Sequence, residues 1–106
     1  MILVKEGVVF KRLIPQILRL LLIAETIWEQ MDQVAVVTSA NDGVHKDGSL
    51  HYQDAALDLR THMLSQTERD ATWGNLKQRL GKDWDVILEA PGTPNEHIHC
   101  EYQPKI

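Results

Sequence analysis

Apolar residues recur at three- and four-residue spacing over 15–31, "PQILRLLLIAETIWEQM", and that is the period of one helix face. Ile14, Ile17, Leu18, Leu21, Leu22, Ala24, Ile27, Trp28 and Met31 make up a broad apolar face for burial. Pro15 suits the first turn, where its missing N–H removes no helical hydrogen bond. A second helix is announced by "SQTE": Ser65 as N-cap and Glu68 three residues on form a capping box. It runs through "RDATWGNLKQRL" to Gly81, a residue able to take the left-handed turn that ends helices. Gly74 lies inside it and weakens it by up to about 1 kcal/mol relative to Ala.

The remaining pattern is that of strands. "VAVVTS" (34–39) is β-branched and short, a buried strand by composition, and "AALDLR" (55–60) alternates apolar with polar as a half-buried strand does. Between them "ANDGVHKDG" (40–48) holds two turn signals. "WDVILE" (84–89) and "HIHCEY" (97–102) are two further strands, joined by the Pro/Gly-rich loop "APGTPNE". The order helix, strand, strand, helix, strand, strand predicts an α+β fold. It has a small antiparallel or mixed sheet, helices packed on one face, and the opposite face left open for a site.

Length and composition narrow this further. The 106 residues make one domain, 1–106, large enough for a single core. A net charge of −4, with no Lys/Arg block longer than two residues, argues against nucleic acid, which needs a basic footprint. The lone Cys100 excludes an internal disulfide framework. "ILRLLLIA" at 17–24 carries Arg19 and is too short to span a membrane, which takes about 20 apolar residues, so no membrane insertion is expected. The start of the chain lacks a secretory signal, so synthesis in the cytoplasm is expected.

Candidate chemistry lies in "GSLHYQDAALDLR" (48–60) and "NEHIHCEY" (95–102). Alternation puts His97 and His99 on one strand face and Ile98 and Cys100 on the other. It also groups Ala56, Asp58 and Arg60 away from Leu57 and Leu59, so Asp58 and the two histidines share the open face. With His51 just upstream, two imidazoles and a carboxylate amount to a three-ligand set for zinc with one position left open. A cation in such a site lowers the pKa of water to about 7. Glu96 and Glu89 are the nearby carboxylates able to relay its proton. Taken singly, His-x-His is more often a surface pair than a metal site, and Asp58 has Arg60 as an alternative partner. His62 reads as a solvated turn residue, and Trp28, Trp73 and Trp84 as core. Tyr52 and Tyr102 adjoin the motifs and are candidates to line a cleft.

"SLHYQDAALD" (49–58) fits the pattern Ser-x-His-x-x-Gly-x-Ala-x-Asp at every named position except one, and "HIHC" follows downstream. The two together resemble the D-alanyl-D-alanine metallopeptidases, including phage L-alanyl-D-glutamate endopeptidases, and the Hedgehog signalling domain of the same fold. "LVKEGVVF", the first helix and "VVTSANDGVHKDGSLHY" look most like small phage and prophage peptidases of this group. The resemblance implies zinc-dependent hydrolysis of a peptide bond in bacterial peptidoglycan, of the L-Ala-D-Glu endopeptidase or D-Ala-D-Ala carboxypeptidase type. The stem peptide would be the substrate, in phage or prophage lysis, at the cell wall or periplasm after release. It implies Zn2+ on His51, Asp58 and His99, with His97 beside the metal and Glu96 as the base, Glu89 being the alternative. Ser49 becomes a structural hydrogen-bonder near the substrate, with Tyr52 beside it. There are two departures. Asp54 stands where the pattern has Gly, and Asn41 where many members have an Arg that stabilises the oxyanion, leaving His45 or His97 to replace it. The alternative reading is a non-catalytic, zinc-stabilised binding module of the same fold.

Overall fold

The computed structural model describes residues 1–42 and 54–105. Pro15–Gln30 forms helix α1, preceded by Ile14 in extended conformation, with Pro15 opening the first turn. Its buried residues are Ile17, Leu20, Ala24, Ile27 and Trp28, a stripe narrower than the sequence predicts and one that includes Leu20, which the predicted face leaves out. Leu18 and Leu22 are 45% and 66% exposed, while Leu20 is wholly buried. An almost unbroken apolar run fixes that a helix forms but leaves its rotation about its own axis to the packing partner. Asp32 ends α1 in the left-handed conformation, φ 57°. The Asp32 N–H donates to Glu29 O and the Gln33 N–H to Trp28 O, so two carbonyls of the last turn are satisfied without a glycine.

The second helix, α2, spans Gln66–Leu80 and opens on the expected capping box. Ser65 Oγ accepts from the Glu68 N–H at 3.1 Å, and the Ser65 N–H donates to Glu68 Oε1 at 2.9 Å. Gly81, at φ 86°, closes it.

Before the first helix lies a strand that the sequence does not predict, β1 (Ile2–Val4). The others are β2 (Ala35–Ser39), β3 (Ala56–Arg60), β4 (Trp84–Glu89) and β5 (His97–Tyr102). The sheet order is β1-β2-β3-β5-β4. β1 runs parallel to β2, and the other neighbours are antiparallel, so the sheet is mixed. Three residues are too few to display a period of two, and β1 exists because β2 offers it an edge.

Both helices contribute to one core with the inward residues of the sheet: Val37, Leu57, Leu59, Val86, Ile98 and Cys100 are all nearly or fully buried. Burial in that core pushes the Cys100 thiol pKa up, so Cys100 is a small apolar core residue and no ligand. The fold is α+β, and among the described residues no helix covers the sheet face opposite that core. Among the described residues no helix is long and apolar enough to cross a membrane.

Candidate metal centre

Strand register assembles the site. Across β3 and β5, Asp58 stands opposite His99 and Arg60 opposite His97. Across β5 and β4, His99 faces Ile87 and His97 faces Glu89. Directly opposed residues share a sheet face with Cβ atoms about 4.5–5.5 Å apart. One face therefore gathers Asp58, Arg60, His97, His99 and Glu89, while their sequence neighbours Leu57, Leu59, Ile98 and Cys100 fill the core behind.

The polar groups converge closely. His99 Nδ1 lies 2.8 Å from Asp58 Oδ1, and His99 Nε2 lies 2.8 Å from Glu101 Oε1. Glu89 Oε1 is 2.9 Å from His97 Nε2 and 3.7 Å from His99 Nδ1. One ligand atom each from Asp58, Glu89 and His99 falls within 4.8 Å of the others, a group able to hold a metal ion. The side chains of Asp58 and His99 are only 13% and 11% exposed, whereas Glu89 is 45% exposed and open to water.

Protons are placed by these contacts. Burial works against a charge on His99, but hydrogen bonds to Asp58 and Glu101 outweigh it and raise its pKa to about 9. His99 is thus an imidazolium held between two carboxylates, and a metal ion bound there would have to displace its proton. His97 Nδ1 donates to the Asn95 carbonyl at 2.7 Å, which holds its ring with Nε2 toward Glu89.

Of the residues singled out from sequence, the structure brings together Asp58, His99, His97 and Glu89. His51, His45, Ser49 and Tyr52 lie outside the described residues. Glu96 has different surroundings. Its carboxylate accepts from Thr61 Oγ1, from the Gly92 N–H at 3.0 Å and from Arg69 Nη1 of α2 at 2.9 Å. The Thr61 hydroxyl, the Gly92 amide and Arg69 together outweigh partial burial and hold its pKa below the usual carboxylate value. Glu96 thus ties the β4–β5 loop to α2, while Glu89 is the carboxylate that shares the cluster. Asn41 Nδ2 donates to Asp54 Oδ1 at 2.6 Å, and Asp54 also receives Arg12 Nε at 3.0 Å. Asp54 does adopt positive φ, 59°, the conformation a glycine would take there. His62 is exposed in a turn. Tyr102 belongs with Trp84 at the edge of the core, ring centroids 5.5 Å apart, and not with the open-face cluster.

Glu101 went unnoticed in the sequence, although its signal was there. His97, His99 and Glu101 alternate along one strand, so all three must share a face. A carboxylate on the far nitrogen of a ligating histidine fixes ring orientation and tautomer and strengthens the ligand. Carboxylate oxygens with an imidazole nitrogen suit zinc and its neighbours among divalent ions. Comparison with protein-family models, with curated proteins and with solved structures found no match to this chain.

Proposed function

We propose that the chain is a zinc-dependent peptidase acting on the stem peptide of bacterial peptidoglycan. The observation behind the reading is the convergence of Asp58, Glu89 and His99 within 4.8 Å on the sheet face away from the core. The motif likeness of "SLHYQDAALD" and "HIHC" supplies the substrate class. Asp58 and His99 would hold the ion, joined by His51 as the resemblance implies. When bound, zinc supplies Lewis acidity for the scissile carbonyl and lowers the pKa of water beside it.

The chain's own groups do the rest. Glu101 orients the His99 ring through Nε2. Glu89, water-exposed and hydrogen-bonded to His97, takes the proton of the attacking water at a carboxylate oxygen and passes it to the departing amine. His97, fixed by the Asn95 carbonyl, presents Nε2 toward the reacting centre and donates to the developing oxyanion. Glu89 takes the role of base in preference to Glu96, whose carboxylate is already committed to Thr61, Gly92 and Arg69.

The test is mass spectrometry of fragments released from purified peptidoglycan, with zinc, with chelator, and with Glu89→Gln and Glu96→Gln. Zinc-dependent fragments that vanish in E89Q and persist in a folded E96Q are expected. Loss in E96Q alone transfers the role of base to Glu96. A zinc-loaded, folded protein that releases nothing leaves the non-catalytic binding module as the reading. That alternative draws on Asn41, whose amide serves Asp54 where the resemblance calls for a cationic oxyanion donor.

A further inference from the structure

Beside the cluster lies a pocket of about 340 Å³, within the size of small-molecule sites. Asp58 and His97 belong both to its wall and to the cluster, so the two adjoin. Four charged side chains other than His97 line it: Lys5, Arg60, Asp58 and Glu96. Their partners differ. Asp58 is paired with His99, and Glu96 with Arg69 and Thr61. Among the described residues, neither the Lys5 ammonium nor the Arg60 guanidinium has a side-chain hydrogen bond or ion pair. The anions of the pocket are therefore already paired within the protein, and its cations are left for whatever enters.

Arg60 is positioned for this by register. It is opposite His97 on the site face of β3, two residues from Asp58, and β5 fixes it one cross-strand row from the ligand row. Lys5 follows β1, held there by its backbone N–H, which donates to Val37 O at 2.9 Å. The two cations thus approach from different strands of the sheet. An Arg fork matches a carboxylate in a bidentate manner, and a nearby ammonium adds a second charge.

We propose that Arg60, assisted by Lys5, forms a carboxylate-binding subsite that selects substrates with a free carboxylate next to the bond presented to the cluster. Its bearing on substrate choice rests on the peptidase reading, but the subsite itself needs no metal. Peptides whose carboxylate is amidated or cross-linked lose this contact and bind less well.

The experiment is a titration of N-acetyl-D-alanyl-D-alanine and of its C-terminal amide into the protein, followed by NMR, first with chelator and then with zinc. The acid is expected to bind about ten-fold tighter than the amide, with the preference falling as salt rises. Arg60→Gln is expected to abolish the preference, Lys5→Gln to reduce it, and Arg60→Lys to retain part of it. Equal binding of acid and amide, no detectable binding of the acid, or an unchanged preference in R60Q with its native spectrum overturns the subsite. Acid preference through Arg60 in a protein that takes up no zinc upholds the subsite and overturns the metal reading. Zinc-dependent fragment release without acid preference does the reverse.

Discussion

Glu96 illustrates how one residue's surroundings decide its role. Three donors hold its charged form, so its pKa lies below the ordinary value of 4.5. A depressed carboxylate pKa stabilises the fold above its unfolded value, and that contribution is lost as pH falls through the folded value. Glu96→Gln is therefore expected to lower the unfolding free energy at pH 7 by about 1–3 kcal/mol. The gap from the parent should close as the pH drops below 4.5, as read from urea midpoints at pH 7 and pH 3. An equal gap at both pH values would mean that the charge contributes nothing. Ala90 makes a second residue-scale case. It adopts φ 49° immediately after Glu89, a conformation that costs a residue with a Cβ about 1–2 kcal/mol. Part of that is recovered in Ala90→Gly, for which a gain of about 0.5–1 kcal/mol by urea unfolding is expected.

At the scale of elements, the helices were legible because their signals are local. The Ser65–Glu68 box needs four consecutive residues and appears as expected, so Ser65→Ala should lower stability by about 1 kcal/mol. Gly74 is exposed within α2, and a Cβ built there meets nothing within 4 Å. Gly74→Ala should accordingly raise stability by about 1 kcal/mol, measured by thermal unfolding. Nothing in the structure explains the glycine. The orientation of α1 was less legible than its existence. Leu18, Leu20, Leu21 and Leu22 are equivalent by hydropathy, and only the sheet beneath them selects Leu20 for full burial. The strands present the converse case. Their faces followed from alternation, but β1 was invisible because its identity rests on pairing with residues 33 positions away.

For the molecule as a whole, metal binding and stability are linked. A ligand that binds only the folded state, present at 100 times its dissociation constant, stabilises it by about 2.7 kcal/mol. Zinc is therefore expected to raise the melting temperature of the parent relative to chelator, and to leave Asp58→Asn nearly unchanged. A parent that melts alike with zinc and with chelator would argue against the site.

The sequence by itself determined two helices, four of the strands, and which side chains share each strand's face, because these follow from spacing over a few residues. It also placed Asp58, His97 and His99 on one open face, though without fixing which strands pair. Tertiary structure alone decided that β3 lies next to β5, bringing Asp58 to His99 across 41 positions of sequence. It decided, too, that Arg69 claims Glu96 across 27 positions, while Glu89 comes to the cluster from the neighbouring strand. Local propensity cannot set such pairings, because strand order and helix docking are chosen by burial of the whole core at once. The chemistry of the open face is a consequence of that choice.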